Sequence, residues 1–296
     1  MRVRKAVIPA AGWGTRFLPA TKAVPKEMLP VVDKPGIQYV IEEAVEAGIT
    51  DVLLVTGRTK RAVEDHFDRA PELEAALERS GKHEQAASVR AIAALAEVHV
   101  VRQPAPLGLG HAVGLARRHV GDEPFVVLLP DDLMAPGSGL LRAMVEAHEH
   151  TGGSVLALKR FGPAEISSYG VVAPAGPADA TGLVSVVDVV EKPAAADAPS
   201  DLAIMGRYLL TPAVFDHIDA LVPGAGGELQ LTDAMRTLCR MEPFHGLVFE
   251  DGRYDTGNKL DWLRATVELA LRHSELGPGF RSVLDDIARR EGLGRR

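Results

Sequence analysis

The sequence predicts an α/β fold: a mostly parallel β-sheet flanked by helices, with an antiparallel extension in its second half. Three observations carry that reading. Val-rich apolar runs alternate with amphipathic helical patterns through about the first 150 residues. From about residue 151 the strand patterns come closer together, separated by glycine and proline turns. No internal repeat and no linker rich in Gly, Ser or Pro divides the 296 residues, so 1–296 reads as one domain.

In order, KAVIP (5–9), DVLLV (51–55), EVHVV (97–101) and FVVLL (125–129) have the near-continuous apolar character of buried parallel strands. Between them, IQYVIEEAVEAG (37–48) places Ile37, Val40, Ile41, Ala44 and Val45 on one helical face and stops at Gly48. LGHAVGLARRHV (109–120) and GLLRAMVEAHEH (139–150) are two further helices. Residues 59–96 read as helical, rich in Ala and Glu with no strand signal, which makes them a long crossover or insertion. Strand–helix–strand repetition implies right-handed crossovers in a doubly wound sheet. Beyond residue 150, SVLALKR (154–160), YGVVAP (169–174), LVSVVDVVEKP (183–193) and LAIMGRYLL (202–210) read as strands. Helices return at PAVFDHIDAL (212–221), LTDAMRTLCRM (231–241) and LDWLRATVELALRH (260–273), and 276–296 reads as a helical tail.

Composition narrows the function. A net charge of −7 argues against a nucleic-acid binder, which needs a broad basic surface. It leaves room for small anionic ligands, because a local group of Lys and Arg outweighs distant carboxylates. The single cysteine, Cys239, makes neither an internal disulfide nor a multi-thiolate metal site, which fits a reducing cytoplasm. The basic and then apolar start MRVRKAVIPAAGWG is interrupted by Pro9 and Gly12 and reads as a first strand rather than a signal peptide. Nothing approaches a membrane span.

The stretch PAAGWGTRFLPATKAVPKEMLP (9–30) carries four prolines and cannot be a continuous helix. It reads as a long, stiffened loop, and long loops in compact domains are mostly functional or disordered. Gly12 and Gly14 let backbone approach a ligand closely and form an anion nest. Phe17 stands where a dinucleotide-binding loop needs its third glycine, and no terminal Gly-Lys-Ser/Thr completes a P-loop. Arg16, Lys22 and Lys26 on one rigid loop suit a polyphosphate, or are three solvated surface charges. FVVLLPDDL ends a strand in Asp131 and Asp132, where a carboxylate is placed to hold Mg²⁺ or to serve a turn or helix cap. GRYDTGNK supplies Asp255 as a second possible ligand, while the lack of Asp-x-Asp counts against a metal-dependent glycosyltransferase. RQPAPLGLGHA (102–112) offers Gln103, whose amide can pair with a base edge, at a strand–helix turn. EKP (191–193) offers a carboxylate for sugar hydroxyls and an ammonium for a phosphate. Pro193 biases Lys192 toward an extended backbone.

Together these motifs resemble the bacterial UTP–glucose-1-phosphate uridylyltransferase family, within the sugar-nucleotide pyrophosphorylase group. The resemblance runs over roughly residues 4–275, through AAGWGTRFLPATKAVPKEMLP, VRQPAPLGLGHAV, LLPDD, SYGVV, VVEKP, LAIMGRYLL, GGELQLTDAM and YDTGNKL. It implies a Rossmann-like mixed α/β fold, Mg²⁺ as cofactor, and conversion of UTP and glucose 1-phosphate into UDP-glucose and pyrophosphate. Carried over by position, Ala11, Gly12, Gly14, Glu27, Gln103 and Gly108 would form the nucleotide side. Arg16, Lys26, Asp131 and Lys192 would be the catalytic groups, with Asp131 and Asp255 as metal ligands. Gly170, Glu191, Lys192, Gly206 and Glu228 would line the sugar-phosphate side. The nucleotide half would then be about 1–150 and the sugar-phosphate half about 151–275. Trp13 departs from the smaller apolar residue usual in the first glycine turn, and His111 reads as a structural hydrogen-bonding group. A cytoplasmic homo-oligomer, dimer or tetramer, is expected, with no nucleic-acid or membrane partner. Two alternatives stand beside this reading: a thymidylyltransferase acting on the same sugar phosphate, and a non-catalytic nucleotide-sugar-binding protein of the same fold. KEMLP and GLGHA favour the uridylyl branch.

Overall fold

The Val-rich runs become strands. A computed structural model describes residues 2–224, 227–250 and 252–293. Its strands are β1 (Lys5–Ala10), β2 (Pro30–Val31), β3 (Lys34–Pro35), β4 (Asp51–Thr56), β5 (Glu97–Arg102), β6 (Phe125–Leu128) and β7 (Asp132–Met134). They continue with β8 (Ser154–Arg160), β9 (Gly170–Pro174), β10 (Leu183–Glu191), β11 (Leu202–Leu210), β12 (Phe244–Val248) and β13 (Arg253–Asp255). Nine of them form one sheet in the order β5-β4-β1-β6-β11-β8-β12-β10-β9, and β2–β3 and β7–β13 form two small ribbons. β5, β4, β1 and β6 pair in parallel. β11 enters antiparallel between β6 and β8. β12 joins β8 in parallel, and β10 and β9 follow in antiparallel pairs. The expected antiparallel extension is therefore present, with one parallel pair inside it. A register pair between Ala203 and Val171 also ties β9 to β11 and folds the β9–β10 hairpin back over the sheet.

Alternation along each central strand feeds two cores. In β1, Ala6 and Ile8 enter one cluster and Val7 the other; in β6, Val126 and Leu128 enter the first and Phe125 and Val127 the second. The first cluster is covered by helices Gly36–Glu46, Leu140–Thr151 and Lys259–Arg272. The second is covered by Leu109–Gly114, Val214–Asp219 and Leu231–Leu238, with Phe125 stacked on Phe215 at 5.1 Å. Each fully buried Val, Ile, Leu or Phe contributes about 1.5–3 kcal/mol relative to exposure.

Three local expectations change, and one is met. EVHVV is a strand but not a buried one: β5 is the sheet's outer edge, and Val100 is 43% exposed. The helix expected over 109–120 breaks into Leu109–Gly114 and Arg117–Val120. Gly114 sits at the break, where a Cβ would meet Ile218 at 2.9 Å. As expected, residues 59–96 are a helical crossover, between β4 and β5, with helices Arg61–Asp65, Pro71–Arg79 and His83–Ala93. The proline-rich loop is not structureless: Thr15–Phe17, Ala20–Lys22 and Lys26–Met28 are single 3₁₀ turns, the short helices that proline-interrupted sequence still permits. In the tail, Gly277–Arg290 is a helix packed against Lys259–Arg272, and 294–296 lie outside the described residues. Among the described residues no helix is long and apolar enough to cross a membrane.

Candidate active site

A cavity of about 690 Å³ opens beyond the carboxyl end of β6, the usual ligand position in open α/β sheets. Arg16, Asp131 and Asp255 line one side of it. Gly170, Glu191, Lys192, Gly206 and Glu228 line the rest, so residues far apart in sequence converge. β6 ends at Leu128, and the chain turns through Asp131 into β7. β13 pairs with β7 so that Asp255 faces Asp132, which brings the second acidic position beside the first.

Adjacent aspartates take opposite roles. Asp131 Oδ2 accepts from Lys26 Nζ at 2.6 Å and from Arg16 Nη2 at 3.3 Å. Asp132 is buried and structural: it accepts from Arg253 Nε at 2.6 Å and from the Gly206 amide at 2.7 Å. Gly206 is required by that approach, since a Cβ there would lie 2.8 Å from the Asp132 carboxylate. The turn is braced by Arg207, fully buried, which pairs with Glu43 at 2.7 Å and donates to the Leu129 carbonyl at 3.2 Å. Removing one partner of such a buried pair costs about 3–5 kcal/mol, because the other charge is left uncompensated.

Burial opposes ionisation of Asp131, but Lys26 and then Arg16 outweigh it and hold its carboxyl below the usual carboxylate range. Asp255 moves the other way. Burial pushes its carboxyl up against the pull of Arg253, and the neighbouring Asp131 and Asp132 add to the rise. Two carboxylates that repel each other at the mouth of a polar cavity form a donor set that a hard dication relieves. Asp131 and Asp255 can therefore hold a divalent metal, whereas Asp132 is committed to Arg253.

On the opposite wall Glu191 pairs in register with Gly170. It accepts from Thr232 Oγ1 at 2.7 Å and lies 3.4 Å from Lys192 Nζ. Lys192 is not extended: its φ is +43°, in the left-handed region, and its amide donates to the Tyr169 carbonyl at 3.1 Å. The β9–β10 pairing overrides the local bias that Pro193 imposes. Non-glycine residues held in this region cluster at functional sites.

A second cavity, of about 330 Å³, lies beyond the carboxyl ends of β1, β4 and β5. Ala11, Trp13, Gly57, Arg58 and Gln103 are among its walls, and Trp13 is 70% exposed. Gln103 Nε2 donates to the Gly108 carbonyl at 3.2 Å and faces His111 Nδ1 at 3.0 Å, which gives His111 the structural bond expected of it. Gly108 has φ +104°, and a Cβ there would sit 2.7 Å from the Leu229 carbonyl, so its demand is packing. Gly14, at φ +66°, faces the Lys26 side chain, and Gly12 opens on free space.

Glu27 corrects the reading that it lines the nucleotide pocket. It is 2% exposed and pairs with Lys60 at 2.7 Å inside the protein. An acidic residue after Lys26 is thus an anchor for the loop. Its Oε1 and Trp262 Nε1 lack hydrogen-bond partners among the described residues, and both residues border a void of about 10 Å³ behind Asp131.

The residues sequence reasoning missed are Gly257, Arg207, Arg253 and Thr232. Gly257 seats Arg16: a Cβ there would lie 2.5 Å from Arg16 Nη2 and 2.9 Å from Asp255 Oδ1. An arginine in the middle of the apolar run LAIMGRYLL was the available signal for Arg207.

A family model described as nucleotidyl transferase matches residues 5–271. The chain belongs to the nucleotidyl transferase family. This nucleotidyl transferase is 49% identical over 290 residues to the UTP–glucose-1-phosphate uridylyltransferase YngB of Bacillus subtilis strain 168, covering 98% of this chain and 97% of that one. It is similar to a solved UDP-glucose pyrophosphorylase from Acinetobacter baumannii, with TM-score 0.89 and 38% identity over 96% of this chain and 99% of that chain. A UTP-bound structure of the A. baumannii enzyme aligns with TM-score 0.88 and 38% identity, over 95% of this chain and 98% of that chain.

Proposed function

We propose that this nucleotidyl transferase converts UTP and glucose 1-phosphate into UDP-glucose and pyrophosphate. The observation that carries the reading is the cavity itself, where Arg16 and Asp131 face Lys192 and Glu191. A cation on each wall, with a carboxylate pair between, suits two phosphorylated substrates meeting in line. A phosphate oxygen of glucose 1-phosphate attacks the α-phosphorus of UTP, and pyrophosphate leaves. The attacking oxygen is already ionised at neutral pH, so no general base is required. What must be overcome is repulsion between anions and charge growing on the leaving group.

Arg16 and Lys26 meet the triphosphate, Arg16 chiefly where charge grows on pyrophosphate. Both pair with Asp131, which fixes them beside the metal position. Lys192 holds the phosphate of the sugar substrate, and Glu191 accepts from sugar hydroxyls, with Gly170, Gly206 and Glu228 shaping that wall. Asp131 and Asp255 would hold Mg²⁺, which when bound supplies charge neutralisation between the phosphates. The half up to about 150 then serves the nucleotide and the half from about 151 to 275 serves the sugar phosphate. Gln103 reads the base. With Nε2 engaged by Gly108 and His111, its Oε1 is left to accept from the N3–H of a uracil edge. Ala11 and Gly12 let the nucleotide approach backbone, and Trp13 walls the base cavity. The same reading makes the protein cytoplasmic with no nucleic-acid partner, supported by its lone cysteine and its acidic charge; that it is a homo-oligomer follows only from the family resemblance.

Pyrophosphate release with glucose 1-phosphate, measured against each common nucleoside triphosphate, tests this. UTP should have the highest kcat/KM. More efficient turnover of dTTP would move the chain to the thymidylyl branch, and no release with any nucleotide would make it a binding protein.

A further inference from the structure

We propose a second metal site, for a borderline transition-metal dication such as Zn²⁺, at the end of the sheet opposite the catalytic cleft. Its donors are Asp51, His99 and His119, whose ligating atoms all lie within 4.8 Å of one another. Asp51 opens β4, whose far end leads to the base cavity about 20 Å away at about 3.3 Å per residue, and His99 on β5 stands four residues, about 13 Å, short of Gln103 in that cavity. His119 Nε2 is 2.7 Å from Asp51 Oδ1, and His99 Nε2 is 3.8 Å from the same oxygen. His99 Nε2 is also 3.5 Å from Glu97 Oε1, and Glu97 stands opposite Asp51 in the β4–β5 register. Glu97 borders the three donors without joining their mutually close set, so the site offers three protein ligands.

Around a dication bound at about 2.0–2.2 Å, tetrahedral or octahedral donors stand roughly 3–3.5 Å apart. The observed separations bracket that spacing, and small side-chain rotations reach it. The two better-shielded donors are also the better fixed. Lys5 Nζ donates to the carbonyls of His119 and Val120, each at 3.0 Å, and so pins the backbone that carries His119. The Lys5 ammonium is further engaged by Glu123 at 3.1 Å. His99, 44% exposed on the edge strand, is free to turn. Two neutral imidazoles and one carboxylate supply a donor set of mixed nitrogen and oxygen for a dication. Imidazole selects Zn²⁺, Co²⁺, Ni²⁺ or Cu²⁺ over Mg²⁺, which sets this site apart from the all-oxygen pair in the cleft. Bound metal would tie β4, β5 and the helix Arg117–Val120 together and stabilise the folded chain.

The test uses the full chain stripped with chelator and then held in excess Mg²⁺ to occupy oxygen-only sites. Wild type should bind one more equivalent of Co²⁺ than H99A/H119A, with visible d–d absorption that Zn²⁺ displaces and the variant lacks. Zn²⁺ at about 100 times its Kd should raise the wild-type Tm by about 4–8 °C. The single variant His99→Gln, at an exposed edge position that does not threaten folding, should weaken Co²⁺ binding and change its spectrum. Turnover in Mg²⁺ should be the same in all three proteins. Equal Co²⁺ stoichiometry and spectrum in wild type and H99A/H119A would overturn the site, leaving Asp51 and His119 as a plain hydrogen-bonded pair. So would a Zn²⁺ stabilisation that H99A/H119A shares.

Discussion

Gly257→Ala should cripple catalysis while barely touching stability. The added Cβ would lie 2.5 Å from Arg16 Nη2 and 2.9 Å from Arg16 Cζ. Something must move, and the guanidinium is the cheap choice because the Arg16 side chain is 63% exposed. Fold stability should therefore change by no more than about 0.5 kcal/mol, the usual range for an exposed site. Function is different. A guanidinium displaced from Asp131 no longer meets charge growing on pyrophosphate, and a charge-assisted hydrogen bond contributes about 1.5–3 kcal/mol. That is about 10- to 150-fold in kcat, with a small effect on KM for UTP. The Cβ would also press on Asp255 Oδ1 at 2.9 Å, so the route of the loss must be separated. A double-mutant cycle does so: pyrophosphate release is followed for G257A, R16A and the double variant, beside thermal melts. If Gly257 acts by seating Arg16, the double variant is no slower than R16A alone. Wild-type kcat in G257A, or losses that simply multiply in the double variant, would refute the seating argument.

Asp131→Ala should nearly abolish Mg²⁺-dependent turnover and leave the chain folded, because Asp131 is at a strand-end turn; near-normal activity would remove it from the metal site. Its folded carboxyl is depressed, so any stability it adds is present above the unfolded carboxylate value and lost as pH falls through the folded one. The Tm difference between wild type and D131A should therefore shrink toward strongly acid pH, and a gap that widens would contradict the assigned pairing with Lys26. Lys192→Ala should lower kcat/KM for glucose 1-phosphate by about 10- to 150-fold with equilibrium UTP binding unchanged; an equal fall in UTP binding would put Lys192 on the nucleotide side. Asp255, whose carboxyl is raised by burial, must lose its proton before it can hold a dication. Mg²⁺ affinity should climb with pH as Asp255 ionises, above the usual carboxylate range, and then level off, and that climb should be absent from Asp255→Asn; a pH profile identical in the variant would free Asp255 of that role.

Much of the frame was legible because its physics is local. Near-continuous Val-rich runs of strand length, as in β1 and β6, read as strands covered on both faces. The same patterning misjudged EVHVV, because apolar content says nothing about whether a strand has a neighbour on each side, and β5 has only one. Arg16, Asp131, Glu191 and Lys192 could be singled out because charged groups at glycine turns and strand ends have few structural uses. Glu27 looked equivalent and is not, since burial against Lys60 depends on a helix start 33 residues away.

The sequence by itself determined the elements, the order in which they alternate, and the residue types available to meet phosphate and metal. Those follow from side-chain periodicity, backbone freedom at glycine and proline, and formal charge, all of which act over a few residues. Tertiary structure decided which of two neighbouring aspartates faces the cavity. β7 pairs with β13 across more than a hundred residues, Arg253 captures Asp132, and Asp131 is left to Lys26. It also decided that Lys192 takes a left-handed backbone, that Gly257 seats Arg16, and that Asp51, His99 and His119 share one corner of the sheet. Each depends on register between segments distant in the chain. Register is set by the packing of the whole core, which no local window of sequence contains.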